Sequence, residues 1–312
     1  MSKKKIAILI SLPLLAASCL FFVSYWAYAS RAVKEFTSID YFSAGDGDYI
    51  SLRGSDIHYI KKGGGEEEIL LVHGFGGGAF SYRNNIGELA RYYTVYAIDL
   101  KGFGYSQRTL GTDYSHLEQA RILLDFLEKK DISEVTAAGH SMGGAVVILA
   151  YHMEPERFKR LVLIDSAGLD NHPPLLSSLF SQPLADILYY NLAVDEDNFA
   201  RFLKSSFFQD NLVDRDLTEI YRRPFMVKDT NFALREMVND MGGYEVESIL
   251  ENIDIPVLIV WGRQDSWIAI DHAYRFGRLI EDSKLVVIDR CGHLPMEEQG
   301  ERFNRVVLDF MQ

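Results

Sequence analysis

Two cysteines in 312 residues, Cys19 and Cys291, cannot support a disulfide framework. Cys and His residues do not cluster at zinc-ligand spacing, so no metal centre is expected. Positive charge is scarce. The 32 Lys and Arg residues stand against 44 Asp and Glu, a formal net charge of -12. A surface with that balance repels phosphate backbones, and nucleic acid is not expected as a partner. The glycine-rich stretches lack the Gly-Lys-Ser/Thr ending of a phosphate-binding loop and the spacing of a dinucleotide fingerprint, so no cofactor is expected either. No internal repeat or low-complexity tract is present. Nothing in this pattern speaks to oligomeric state.

What the chain does have is apolar material, 48% of its residues, enough for one large folded domain with an insertion. One apolar run stands apart from the rest. Ile6 to Ser30 carries no charge, follows Lys3, Lys4 and Lys5, and ends among Tyr25, Trp26 and Tyr28. A helix of about 20 apolar residues spans a bilayer, and flanking lysines favour the cytoplasmic side. The expectation is an N-terminal membrane anchor over residues 1–30, with a cytoplasmic N-terminus and the rest of the chain extracytoplasmic. The alternative is a cleaved export signal, suggested by Ala27-Tyr28-Ala29, which would release a secreted or periplasmic protein.

After a connector at 31–48, short apolar runs recur: Tyr49 to Arg53, Ile57 to Lys61, Ile69 to Val72, Val95 to Ile98, Val135 to Ala138, Leu161 to Ile164, Val257 to Trp261 and Leu285 to Ile288. Their length suits strands buried on both faces. Tyr114 to Lys129 has helical spacing between two of them. The alternation predicts an α/β fold with a mostly parallel sheet flanked by helices. It breaks between about Gly168 and Ile253, where Leu175, Leu176, Leu179, Phe180, Leu184, Ile187, Leu188, Phe199, Phe202 and Leu203 recur at helical spacing. We therefore expect core parts at 49–167 and 254–312, split by a helical cap at 168–253.

Gly139-His140-Ser141-Met142-Gly143-Gly144 follows a predicted strand and precedes an apolar helix. This is the G-x-S-x-G elbow in its required context, and it makes Ser141 the candidate nucleophile. A serine hydroxyl needs a base. His293 lies in Gly292-His293-Leu294-Pro295, directly after a strand. Asp265, in Trp261-Gly262-Arg263-Gln264-Asp265, also follows a strand and completes the order Ser, Asp, His. Asp165, after the Leu161 to Ile164 strand, is the alternative acid. His140 is expected to point away from the site, and His58 to lie on the surface or in a loop. The backbone N–H groups of Met142 and of Phe75, in His73-Gly74-Phe75-Gly76-Gly77-Gly78, are the candidate oxyanion donors.

These residues, together with Asp99 through Ser106, resemble the α/β-hydrolase family over roughly Tyr49 to Met311. Within it the chain looks most like bacterial lipases, esterases and membrane-anchored monoacylglycerol lipases. The resemblance implies hydrolysis of a small, lipid-like carboxylic ester through an acyl-enzyme, without a cofactor. Carbon–carbon bond hydrolases of ring-cleavage pathways are the rival reading. They often have Asn before the serine and Trp after the histidine, where this chain has His140 and Leu294. A third reading is an inactive binding protein on the same scaffold, which the presence of all three triad members opposes.

Overall fold

The computed structural model describes residues 19–21, 23–24, 47–169, 184–240 and 246–312. Eight strands build one sheet: β1 (Asp48–Leu52), β2 (Ser55–Lys62), β3 (Glu68–Val72), β4 (Thr94–Ile98), β5 (Val135–His140), β6 (Phe158–Ile164), β7 (Val257–Gly262) and β8 (Ser283–Ile288). Their spatial order is β1-β2-β4-β3-β5-β6-β7-β8. β1 and β2 form an antiparallel hairpin, β2 pairs antiparallel with β4, and every later pairing is parallel. Each predicted run therefore falls in a strand, except that Arg53 lies in the turn between β1 and β2. All residues of β4, β5 and β7 are buried. Helices cover both faces of a parallel sheet, so its central strands read as unbroken apolar runs.

The helices of the first half are α1 (Arg83–Leu89), α2 (His116–Lys129) and α3 (Met142–Met153). Ser115 caps α2, its hydroxyl accepting from the Glu118 amide at 3.1 Å, and so satisfies one of the free amides of the first turn. α3 is buried along most of its length because it packs between β5, β6 and α2. Between β6 and β7 the described residues form no strand of the sheet. They make α4 (Leu184–Val194), α5 (Glu196–Lys204), α6 (Arg215–Arg222), α7 (Thr230–Asp240) and the short α8 (Glu247–Leu250). Phe199, Leu203, Leu217 and Tyr221 turn inward from α5 and α6. Leu175, Leu176, Leu179 and Phe180 lie outside the described residues, as do the side chains of Leu184, Ile187 and Leu188. The chain closes with α9 (Asp271–Leu279), α10 (Pro295–Glu298) and α11 (Gly300–Met311).

One expectation is corrected. No helix among the described residues is long and apolar enough to cross a membrane. Spanning needs a continuous helix of about 20 residues. Of the Ile6 to Ala29 run, only residues 19–21 and 23–24 are described; they are helical and exposed, and the remainder lies outside the described residues. The single-pass arrangement with an extracytoplasmic hydrolase domain is therefore not carried forward.

Candidate active site

β5 ends and α3 begins within a single residue. Ser141 sits between them at φ 51°, ψ -120°, a left-handed conformation that a serine adopts only when its surroundings enforce it. The Ser141 amide donates to the Ile164 carbonyl at 2.9 Å, and its carbonyl accepts from Gly144 and Ala167 at 2.9 and 3.0 Å. Gly139 and Gly143 make the turn possible. A Cβ on Gly139 would stand 2.4 Å from the Gly143 oxygen, and one on Gly143 would stand 2.4 Å from the His73 oxygen. The elbow therefore presses directly against the loop after β3.

His293 lies in the loop between β8 and α10. Its Nδ1 is 2.7 Å from Asp265 Oδ2, while Asp265 Oδ1 accepts from the Trp267 and Ile268 amides at 2.7 and 3.1 Å. These bonds leave Nδ1–H as the donor and turn Nε2 of the ring free for proton transfer. The His293 and Asp265 side chains are 8% and 0% exposed, so the pair is shielded from water. Ser141 and His293 line one cleft.

Asp165 reaches the same place from the end of β6. Its Oδ1 accepts from the Gly262 amide at 3.0 Å, and its Oδ2 is buried without a hydrogen-bond partner. One atom each from Asp165, Asp265 and His293 lie within 4.8 Å of one another. Burial, with the Asp265 carboxylate beside it, holds the Asp165 carboxyl well above the usual carboxylate range. Asp165 is thus a neutral neighbour of Asp265, and Asp265 is the acid that touches His293. The three could in principle ligate a metal ion, but the Nδ1 of His293 and both oxygens of Asp265 are already engaged in hydrogen bonds.

His140 departs from expectation. It lines the cleft, and its Nε2 donates to the His293 carbonyl at 2.7 Å. Burial and the neighbouring His293 push its pKa well down, keeping it neutral. His58 is buried as well; its Nδ1 lies 2.7 Å from Asp99 Oδ2. Asp99 also accepts from the Ala79 and Tyr105 amides at 2.5 and 2.8 Å, and so binds the Asp99 to Ser106 turn to the segment after the glycine-rich loop. In that loop His73 bridges Gly74 O, at 2.7 Å from Nδ1, and the Leu100 amide, at 2.9 Å from Nε2. A Cβ on Gly74 would fall 2.9 Å from the Ser141 Cβ, so the loop passes close over the nucleophile. Phe75 lines the cleft, and Met142 follows Ser141 directly and opens α3.

Sequence reasoning missed Glu298. Its Oε2 accepts from the Gly292 and Phe208 amides at 2.7 and 3.1 Å, and its Oε1 from Gln209 at 2.7 Å. The His293 amide in turn donates to the Ser206 carbonyl at 2.8 Å. The histidine loop is therefore fastened to residues 206–209 of the segment inserted between β6 and β7. The pair of acids in Pro295-Met296-Glu297-Glu298, just after the histidine, was the available signal. Cys291 lies two residues before His293, yet burial pushes its thiol pKa up and keeps it inert.

A serine at a strained elbow and a histidine paired with a buried carboxylate, lining one cleft at the sheet edge, fit a hydrolase of the serine type. The chain belongs to the α/β hydrolase fold family, whose model matches residues 68–299. It is 30% identical over 267 residues to a 2-hydroxy-6-oxononadienedioate/2-hydroxy-6-oxononatrienedioate hydrolase of Comamonas testosteroni, covering 81% of this chain and 90% of that protein. It is 29% identical to a 2-hydroxy-6-oxo-6-(2'-aminophenyl)hexa-2,4-dienoic acid hydrolase of Metapseudomonas resinovorans, over 84% of this chain and 90% of that one. Among solved structures it is similar in fold to a membrane phospholipase A, with a TM-score of 0.73, 23% identity, and coverage of 99% of this chain and 98% of that one.

Proposed function

We propose that the chain hydrolyses carboxylic esters of uncharged, apolar acids. Ser141 acts as nucleophile, His293 as base and Asp265 as the acid that orients it, with the Phe75 and Met142 amides receiving the oxyanion. Ser141 Oγ attacks the carbonyl carbon while His293 takes its proton. The tetrahedral oxyanion collapses, His293 returns the proton to the departing alcohol, and an acyl-enzyme remains. Water, deprotonated by the same histidine, then releases the acid. We read residues 49–167 and 254–312 as the core that supplies this machinery, and residues 168–253 as the cap that shapes the substrate side.

The observation that carries the ester reading is the cleft wall. Phe75, Phe199, Phe202, Leu203, Phe225 and Leu294 line it, and no Lys or Arg does among the described residues. Residues 170–183 and 241–245 contain no Lys or Arg at all. A carboxylate brought into an apolar cleft without a cationic partner loses its hydration uncompensated, at a cost of several kcal/mol.

The second reading is hydrolysis of a carbon–carbon bond, and the named relatives favour it over esters. The relatives described above act, by name, on a hydroxy-oxo dienoic acid and on a hydroxy-oxo dienedioate or trienedioate, and their likeness extends over about nine-tenths of their length. Turnover of p-nitrophenyl octanoate, methyl decanoate and 2-hydroxy-6-oxo-6-phenylhexa-2,4-dienoate separates the two. We expect the esters to have the higher kcat/KM. A faster dienoate makes the carbon–carbon reading correct. Under either reading Ser141→Ala should cost several orders of magnitude in kcat and abolish labelling by a fluorophosphonate. Labelling and turnover that persist in this variant would remove Ser141 from the chemistry.

A further inference from the structure

Trp267 touches the acid, the base and the inserted helices at once. It stands in the loop between β7 and α9, two residues beyond Asp265, and its amide donates to Asp265 Oδ1 at 2.7 Å. Its indole lies nearly parallel to the His293 ring, with planes 15° apart and centroids 6.0 Å apart. The indole Nε1 donates to the Ser205 carbonyl at 3.1 Å, and Phe202 of α5 packs edge-on against the ring with centroids 5.6 Å apart. Trp267 lines the cleft yet is 46% exposed, so its own burial contributes little. What the Ser205 bond secures is an aromatic face against the imidazole.

Both halves of the proposed acyl transfer place a positive charge on His293, first when Ser141 gives up its proton and again when water does. Among the titratable groups around that ring, Asp265 holds Nδ1. Asp165, Cys291 and His140, whose ring centroid is 4.7 Å away, are uncharged. The Glu298 carboxylate is engaged by three amides. The face of an indole is the negative side of its quadrupole, and a cation within about 6 Å of it is stabilised. We propose that Trp267 is a positioning residue for the base: its indole, held by Ser205, keeps the His293 ring in line and favours the cationic ring over the neutral one. The inference rests on His293 acting as the base. A contact that strengthens as charge develops raises kcat and leaves KM nearly alone.

The test uses the full chain and p-nitrophenyl octanoate. Trp267→Leu should lower kcat about three- to tenfold with KM nearly unchanged, the loss of one cation–π contact. Trp267→Phe keeps an aromatic face and should recover most of that loss. A raised KM with wild-type kcat would make Trp267 a plain wall of the cleft, and equal losses in the two variants would assign the effect to the Ser205 bond; either result overturns the role of the indole face. A second measurement needs no substrate. An imidazolium accepts an electron from an excited indole and quenches its emission. Subtracting the emission of Trp267→Phe from that of wild type removes the share of Trp26 and Trp261. The remaining Trp267 emission should fall on acidification from about pH 8 to about pH 5, and the same difference taken in a His293→Ala background should stay flat. A flat wild-type signal, or a fall that survives His293→Ala, overturns the contact. Absence of ester turnover in wild type would overturn the ester reading and not this one, which the emission still decides.

Discussion

At the scale of residues, the two carboxyls behind His293 have opposite assignments. Asp265 receives the imidazole N–H and two backbone amides. Asp165 receives one amide and is otherwise buried beside that charge. Asp265→Asn should therefore lower kcat by about four orders of magnitude through loss of the correct histidine tautomer, and Asp165→Asn by far less. The reverse ranking would exchange the two roles. Asp165 also carries a pH signature. A carboxyl raised on folding contributes stability that is fully present below its unfolded value, about 3.9, and is lost as the pH rises through its folded value. Asn at 165 does not titrate. The melting temperature of Asp165→Asn relative to wild type should therefore climb as the pH rises above about 4. A constant difference across that range would mean that Asp165 is not held neutral. Ser141, Asp265 and His293 were legible in the sequence because each follows an apolar strand in a fixed order. The contact of Asp165 with Asp265 was not. It depends on the parallel register that pairs Ile164 with Val260, and register is invisible in a single strand. The directions of His140 and His58 were hidden for the same reason: no spacing rule encodes the side of a loop that a neighbour occupies.

At the scale of elements, the strands were legible and the links between segments were not. Buried parallel strands announce themselves as apolar runs, so the eight segments found in the sequence are the eight strands of the sheet. Glu298, by contrast, stands on a four-residue helix and ties the nearby Gly292 amide to two amides, of Phe208 and Gln209, far from it in sequence. By holding Gly292 and residues 208–209 together it sets where the next residue, His293, points. Glu298→Ala leaves the buried Gly292 amide and the part-buried Phe208 and Gln209 amides without this acceptor, at about 1 kcal/mol for the buried one. The expected outcome is a drop of several degrees in melting temperature together with a kcat reduced about tenfold or more, since small displacements of a catalytic base are costly. Glu298→Gln keeps one carbonyl acceptor and should recover part of both. Wild-type kcat in Glu298→Ala would show that the histidine loop holds its place without this brace.

At the scale of the whole molecule, the question is what joins the inserted helices to the sheet, because the cleft lies between them. Besides the Glu298 brace, Arg108 is a buried polar link between them. It is buried, follows the Asp99 to Ser106 turn, and donates from Nη2 to Pro224 O at 3.1 Å and from Nε to Thr230 Oγ1 at 3.0 Å. On the sheet side its Nη1 reaches Ser106 O at 2.5 Å. It makes no ion pair among the described residues, so its charge is met by carbonyl and hydroxyl oxygens alone. Burial lowers its pKa to about 10, which still leaves it charged at neutral pH. A planar guanidinium spans both sides at once, and a lysine could not reproduce that geometry. Arg108→Leu would leave acceptors on both segments unpaired, and the destabilisation should reach about 3 kcal/mol. Because the loss falls at the junction, it should be local. Amides of Thr230–Asp240 should exchange faster with solvent, while those of β3, β5 and β6 keep their protection. Arg108→Lys should behave much more like Arg108→Leu than like wild type. Uniform loss of protection across the sheet and the inserted helices would instead show that the two unfold as a single cooperative unit, with Arg108 serving general stability rather than the attachment of one part to the other.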